Sequence, residues 1–117
     1  MEESKKEINY SIKVADSFLM RLKGLMFRRD PLVEEGLWIT PCNSIHMFFM
    51  KFAIDAVFIN KDGRIIKKVE NLQPWKVIKP VPEAYSVVEL PAGAARKLKL
   101  EKGDFITFNS FLKKKAE

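Results

Sequence analysis

The only cysteine and the only histidine of the chain, Cys42 and His46, stand four residues apart in an apolar run that also holds Ser44 and Asp55. Thiolate and imidazole groups act as nucleophiles, bases and metal ligands, and a carboxylate can orient an imidazole ring. Moving an unpaired polar group out of water costs roughly 2–7 kcal/mol. These side chains must therefore satisfy one another, reach backbone partners, or line a cavity.

The spacing of Cys42 and His46 limits their chemistry. A protein-held metal normally needs three or four ligands, and only Asp55 and Glu89 offer to complete such a set across strands. In an extended strand the cysteine and the histidine lie about 13 Å apart at about 3.3 Å per residue, too far for a hydrogen bond. Structural burial is favoured over a pocket, and a metal site is favoured least. We predict no metal and no cofactor.

Two carboxylates, Asp55 and Glu89, lie in β-rich sequence, where burial raises the pKa of an unpaired carboxyl group. With His46 they could supply the acid and base groups of a hydrolase-like enzyme. A structural role is the simpler interpretation of each. Glu89 precedes the start of a helix, whose free amides could bind it, and Asp55 could pair with Arg21 or Arg28.

Hydrophobic periodicity predicts the elements that must position these groups. Strands are expected at residues 8–14, 36–40, 44–50, in two arms between 53 and 71, at 85–90 and at 105–108, and a proline-rich loop from 72 to 83 allows a short edge strand at 75–78. Asp16 is the expected N-cap of a first helix, in which apolar residues recur at helical spacing from Phe18 to Met26. A second helix is expected from Ala92 to Leu98, after Pro91.

The Asp62-Gly63 pair predicts a β-hairpin, because it readily supplies the positive φ angles of a tight turn. A two-residue turn would place Asp55 opposite Glu70, where like charges repel. Either the turn is longer and the register differs, or Asp55 lies beyond the paired region.

Composition sets the fold class. The chain has 117 residues and 47% hydrophobic residues, enough for one domain over 1–117 with an ordered core of about 8–108 and charged termini. We predict an α+β fold with a mainly antiparallel sheet, curled into a partial barrel, and two short helices. A single cysteine forms no internal disulfide, and no apolar leader or membrane span is evident, so a cytoplasmic location is expected.

The net charge of +6 raises the question of nucleic-acid binding. Such binding predicts one continuous basic face, formed by Lys67, Lys68, Arg96, Lys97 and the terminal Lys113–Lys115. The segment from Leu90 to Phe108 also resembles the strand-helix-Gly-Asp-strand unit of swapped-hairpin transcription factors of the AbrB type. Dispersed lysines are more typical of a solvated surface, so nucleic-acid binding is disfavoured.

Six motifs mark the chain in a characteristic order. They are Arg21-Leu-Lys-Gly-Leu-Met-Phe-Arg, the run from Cys42 to Ile59, Asp62-Gly63, Pro74-Trp75, Val88-Glu-Leu-Pro-Ala-Gly and Gly103-Asp104. In this order the chain resembles the family called domain of unknown function 192 over about residues 8–108. The resemblance implies a compact β-rich fold with helical additions and, in many relatives, a secreted or membrane-tethered setting that this amino terminus does not share. It implies no activity. It also implies that Cys42 and His46 are characteristic of one subgroup of the family.

The functional hypothesis is a pocket near the strand from Cys42 to His46 that binds a small molecule or a peptide. Its predicted lining is Ser44, His46, Met50, Asp55, Trp75 and Glu89. The alternatives are an enzyme using Asp55, Glu89 and His46, or a basic nucleic-acid-binding protein. The sequence predicts no oligomeric state.

Overall fold

A computed structural model describes residues 4–109 and 113–115 of the chain. Strands are the main regular structure of this part, with two short helices between them, so the predicted α+β class is confirmed. In chain order the elements are β1 (Lys5–Ile8), β2 (Ser11–Ala15), α1 (Phe18–Lys23), β3 (Glu35–Ile39), β4 (Ile45–His46), β5 (Ile54–Ile59), β6 (Ile65–Leu72), β7 (Val77–Ile78), β8 (Ser86–Pro91), α2 (Ala94–Lys97), β9 (Phe105–Phe108) and β10 (Lys113–Lys115).

The main sheet has six strands in the order β10-β2-β3-β8-β5-β6, and β1-β9 and β4-β7 form two small sheets. The pairs β1-β9, β10-β2 and β2-β3 are parallel, whereas β3-β8, β8-β5, β5-β6 and β4-β7 are antiparallel. The sheets are therefore mixed, and the expected mainly antiparallel pairing is wrong for the strands near both chain ends. The described strands do not close into a barrel, since the main sheet runs from one edge strand to another.

Both faces of the main sheet are buried at its centre, so β5 and β8 are buried along almost their whole length instead of alternating between buried and exposed residues. Successive residues of a strand point to opposite faces. One face packs in a cluster with Leu37, Ile39, Ala56, Phe58 and Val87. The other face packs in a cluster with Ile12, Val57, Val88, Leu90 and Ala95.

The predicted strand over residues 8–14 is two strands that join different sheets. Its alternation is observed, because Ile8, Tyr10 and Ile12 are buried. The chain bends at Tyr10, so β1 pairs with β9 and β2 pairs with β3. The alternation of buried side chains therefore continues from β1 to β2 although the partner strand changes. Hydrophobic periodicity does not reveal such a change of partner.

The first helix differs from its prediction in its cap and in its exposure. The N-cap is Ser17, whose Oγ accepts a hydrogen bond from the amide of Met20 at 3.2 Å, instead of Asp16. The helix ends at Gly24, whose φ is +49°, and none of its residues is buried. Its apolar periodicity therefore faces outward.

The expected strand over residues 44–50 contains only the two residues of β4. The chain then turns, with the amide of Met50 bonded to the carbonyl of Met47 at 3.2 Å and a φ of +62° at Phe49. β4 pairs with β7, which confirms the short edge strand near Ile78.

The hairpin is confirmed, and its turn is longer than two residues. Oδ1 of Asn60 accepts hydrogen bonds from the amides of Asp62 and Arg64, each at 3.0 Å. Ladder pairing is irregular between Ile54 and Ala56, so Asp55 does not face Glu70. The turn is longer, but Val57 still faces Lys68, so the register differs only at the bulges, and Asp55 leaves the ladder with β6 for other partners.

Candidate functional site

Glu89 lies at the centre of the main sheet, on β8, with Leu37 of β3 and Ala56 of β5 as its neighbours across the strands. The residue is 4% exposed, and its Oε1 has no hydrogen-bond partner among the described residues. Burial raises the pKa of Glu89 to about 8. Its carboxyl group is therefore mostly protonated at neutral pH, with an O–H to donate and a carbonyl oxygen to accept.

A small recess of about 50 Å³ adjoins this carboxyl group. Its lining residues come from the end of α1, from β3 and from the segment around β4: Arg21, Leu22, Lys23, Gly24, Leu25, Met26, Ile39, Cys42, Ser44, Ile45, His46, Met50 and Glu89. A Cβ atom added to Gly24 would lie 3.9 Å from Oε1 of Glu89, so the C-terminal turn of α1 covers the glutamate directly.

Arg21 places a cationic side chain at the recess. Its Nη1 donates a hydrogen bond to the carbonyl of Pro41 at 3.0 Å, which holds the guanidinium against the segment before β4. Its Nε is buried and has no partner among the described residues. Two residues that line the recess therefore have unused polar atoms, a donor on Arg21 and a carboxyl oxygen on Glu89.

Cys42 and His46 line the same recess without pairing with each other. Sγ of Cys42 donates to the carbonyl of Ser44 at 2.8 Å. Burial raises the pKa of the Cys42 thiol, and the Glu89 carboxyl raises it further against the lowering effect of Arg21. Nδ1 of His46 accepts a hydrogen bond from the amide of Phe48 at 3.3 Å. The cysteine is consequently a neutral thiol near pH 7, the less reactive form.

Asp55 lies outside this recess. Its carboxylate accepts hydrogen bonds from the backbone amides of Asn71 at 2.8 Å, Gly93 at 3.0 Å and Ala95 at 2.9 Å. The expected ion pair with Arg21 or Arg28 is wrong, because the amides at the start of α2 satisfy the carboxylate instead.

Neither carboxyl group has the partners expected for it. Helix-start amides were expected to bind Glu89, and they bind Asp55. Arg28 makes a two-pronged hydrogen bond to Glu35, with contacts of 3.0 and 2.9 Å. The convergence of Asp55, Glu89 and His46 that the enzyme hypothesis requires is not observed.

Four of the six predicted lining residues surround the recess, namely Ser44, His46, Met50 and Glu89. Trp75 is 59% exposed and packs against aromatic rings outside the recess. The role of the predicted lining residues in binding stays a prediction. Sequence reasoning missed Arg21 and Gly24 as recess residues, although both belong to the Arg-Leu-Lys-Gly motif that carried the family resemblance.

The described residues offer little for the other site types. They contain no cluster of three or more His, Cys, Asp or Glu side chains that could hold a metal ion. Nζ of Lys68, a member of the predicted basic face, contacts Glu101 at 3.3 Å, Glu70 at 3.9 Å and the carbonyl of Leu100 at 3.0 Å. Neither helix in this part of the protein is long and apolar enough to cross a bilayer.

The sequence model of DUF192, described as an uncharacterized ACR, matches residues 1–108. The chain belongs to the DUF192 family. A UPF0127 protein of Pyrococcus furiosus is 33% identical over 112 residues, covering 92% of this chain and 94% of the relative. One from Pyrococcus horikoshii is 35% identical over 100 residues, covering 81% and 84%. The family resemblance in the motif order is thereby confirmed.

Two crystal structures share the fold of this DUF192 chain. One, a protein of unknown function from Novosphingobium aromaticivorans, has a TM-score of 0.74 and 24% identity, covering 82% of this chain and 73% of that one. The other, named as a candidate transcription regulator from Sinorhizobium meliloti, has a TM-score of 0.72 and 28% identity, covering 80% and 78%. The fold of the DUF192 chain therefore recurs in bacterial proteins.

Proposed function

We propose that the protein binds a small molecule or a peptide. A small polar group of this ligand would enter the recess beside Glu89. The observation that carries this proposal is the carboxyl oxygen of Glu89, which is buried without a partner. A buried unsatisfied polar atom costs about 1–3 kcal/mol. A ligand that supplies the missing hydrogen bond recovers this free energy on binding.

The two unused groups define the chemistry of the ligand. Protonated Glu89 donates an O–H, and Nε of Arg21 donates an N–H, so both are complemented by an oxygen acceptor. A carbonyl or carboxylate group meets this requirement. The second oxygen of Glu89 can in turn accept a hydrogen bond from a hydroxyl or amide of the same ligand.

The size of the recess limits what enters it. One water molecule needs about 10–15 Å³ of such space, so a recess of about 50 Å³ admits a head group and no more. An adjoining cleft of about 470 Å³ shares Arg21, Cys42 and Ser44 with the recess. The rest of a ligand would occupy this outer cleft.

Binding is better supported than catalysis. The hydrolase-like hypothesis needs Asp55, Glu89 and His46 together; Glu89 and His46 line the recess, but Asp55 is bonded to amides elsewhere. Burial also holds Cys42 as a thiol by raising its pKa. Nucleic-acid binding through Lys68 is weakened because its ammonium group already contacts two carboxylates.

The test is an NMR titration of isotope-labelled protein with a library of small carboxylates, amides and ketones. Binding in the recess should shift the amide signals of Gly24, Cys42 and Glu89. Glu89→Leu removes both hydrogen-bonding oxygens and should abolish these shifts, whereas Glu89→Gln should preserve binding of part of the library.

The matched control is Glu101→Leu, which removes a glutamate whose side chain is 69% exposed. It should leave every titration unchanged. If no compound shifts the recess signals, or if Glu89→Leu binds the same compounds as well, the proposal is wrong.

A further inference from the structure

Eight exposed apolar side chains form a surface that we call the apolar face. They are Phe18, Leu19, Leu22, Phe27, Phe48, Phe49, Trp75 and Val77, with exposed fractions between 40% and 70%. Three of them, Phe18, Leu19 and Leu22, share one side of α1 by their spacing. Contiguous exposed apolar surface of this kind marks interaction sites in folded proteins.

Ring contacts make this surface continuous. The ring of Phe49 lies 5.0 Å from that of Phe27 and 5.0 Å from that of Trp75, measured between centroids. Phe48 lies 5.9 Å from Trp75 and 4.9 Å from His46. Because four rings from three separate loops touch, they present one surface.

His46 joins the remaining members to these rings. It pairs with Val77 across the β4-β7 ladder, and it lines the recess together with Leu22 of α1. Leu22 and Val77 therefore both lie next to the histidine whose ring stacks on that of Phe48.

The backbone holds the rings outward in an unfavourable conformation. Phe27, Phe49 and Trp75 have φ angles of +66°, +62° and +71°, a region that bulky L residues rarely occupy. The amide of Phe27 bonds to the carbonyl of Phe49 at 3.0 Å, and the amide of Trp75 to the carbonyl of Met47 at 2.8 Å. Strain of this kind concentrates at functional surfaces.

A cationic cleft of about 690 Å³ borders the apolar face at Phe27. Lys13, Lys23, Arg28 and Lys114 line it, and no acidic residue is among its lining residues in the described part of the chain. Arg28 is already paired with Glu35, so the three lysines supply the unbalanced positive charge. The first charged residues that follow Phe49 and Trp75 in the sequence are also cationic, namely Lys51 and Lys76.

We propose that the apolar face and the cationic cleft together bind the surface of an anionic lipid bilayer. Aromatic and aliphatic side chains enter the boundary between head groups and acyl chains, while neighbouring lysines attract anionic head groups. The two features lie side by side, as this mode of binding requires. The proposal is independent of the ligand at Glu89.

Other occupants fit the same features less well. A second copy of the chain would bring like-charged clefts together, which opposes association. Single-stranded nucleic acid uses aromatic faces and cations, but it has no use for exposed Leu19, Leu22 and Val77. A peptide groove would enclose its side chains, whereas Phe27 and Trp75 are each 59% exposed.

The test is flotation of the full chain with vesicles of phosphatidylcholine alone and with vesicles in which about a third of the lipid is phosphatidylglycerol. Binding should require the anionic lipid and should weaken as salt is raised. The variants Phe27→Asn and Trp75→Asn remove apolar surface and retain a residue that tolerates positive φ. Each should weaken vesicle binding by about tenfold.

Lys23→Glu and Lys114→Glu should each weaken binding by about fivefold or more. The matched controls are Tyr85→Asn, an exposed aromatic outside the apolar face, and Lys97→Glu on α2, across the main sheet; both should bind as the unaltered protein does. The proposal fails if anionic vesicles are not bound at low salt, or if Trp75→Asn binds them equally well. It also fails if an oligothymidylate or free glycerol phosphate competes fully, or if Trp75→Asn abolishes a dimer seen by sedimentation.

Discussion

Asp55 and Glu89 lie on neighbouring strands of one sheet with their side chains on opposite faces. Asp55 is paired with Leu90, and Glu89 is paired with Ala56, so the two carboxyl groups alternate across the β5-β8 ladder. Asp55 is bonded to three backbone amides, whereas Glu89 has an oxygen without a partner. A carboxyl group in β-rich sequence thus serves structure on one face, whereas on the other face a carboxyl oxygen is buried without a partner among the described residues.

Glu89 should make stability fall as pH rises. Its pKa is raised from 4.5 to about 8, so between these values the folded protein holds a proton that the unfolded chain has released. The free energy of unfolding therefore decreases across this window, by an amount on the order of a few kcal/mol. Denaturant unfolding at several pH values measures it.

Glu89→Gln should flatten this pH dependence, because the amide does not ionise. The variant should gain stability relative to the unaltered protein as pH rises toward about 8. Glu101→Gln, at an exposed glutamate, should reproduce the unaltered profile. Identical profiles for Glu89→Gln and the unaltered protein would contradict the assignment.

Asp55→Ala should destabilise the fold strongly. The substitution leaves the amides of Asn71, Gly93 and Ala95 without their acceptor, and a buried unsatisfied donor costs about 1–3 kcal/mol. A loss of about 3 kcal/mol or more in the free energy of unfolding is expected, with Asp55→Asn in between. Asp30→Ala, at an exposed aspartate, is the control. A loss below about 1 kcal/mol for Asp55→Ala would show that water replaces the carboxylate.

Gly36→Ala should destabilise the centre of the sheet by about 1–3 kcal/mol. An added Cβ would lie 2.8 Å from the carbonyl oxygen of Glu89, 2.9 Å from Cδ2 of Leu90 and 3.0 Å from Cδ1 of Ile12. Backbone on one side leaves little room to relax. Thermal unfolding measures the effect against Ser11→Ala, an exposed position on the adjacent strand, and an unchanged midpoint would show that β3 and β8 can separate without cost.

Asp104 should contribute stability that disappears in acid. Although its burial raises the pKa of Asp104, hydrogen bonds from Lys6 and the Glu101 amide hold that pKa below the ordinary 3.8. Its contribution is therefore complete above about pH 3.8 and is lost as pH falls through the lower folded value. Asp104→Asn should cost about 1–2 kcal/mol at neutral pH and little in strong acid. Glu7→Gln is the control for the removal of a negative charge on β1. If Asp104→Asn lost the same free energy of unfolding at every pH, the ionisation of Asp104 would not be the cause.

Much of the strand content was predictable because it depends on local patterns. The hairpin followed from Asp62-Gly63, and β9 was expected at the residues it occupies. The parallel pairing of β1 with β9 was not predictable, since nothing local specifies a partner that lies 100 residues away at Phe105. The aromatic turn after β4 was also missed, because positive φ at Phe49 opposes the preference of phenylalanine.

The positions of some predicted site residues were found for a reason that is only partly right. Alternation along an extended segment placed Ser44, His46 and Met50 on one side, and all three line the recess, although the chain turns after His46. Their role in binding stays a prediction. The partners of Asp55 depend on a bulge in β5 and on where α2 begins, which are tertiary features. Arg21 lines the recess from the end of α1, where Gly24 covers Glu89. Helical periodicity reports only the apolar residues of a helix, so it did not indicate this position.

The pairing of β1 with β9 also determines how long β1 lacks its partner strand during synthesis. Lys5–Ile8 leaves the ribosome before the main-sheet strands β2, β3, β5, β6 and β8, and its partner Phe105–Phe108 emerges only after them. Until then β1 has an open edge, and Lys5 and Glu7 place exposed charges along it. Such charges discourage pairing with other nascent chains, so the first strand is protected while it waits.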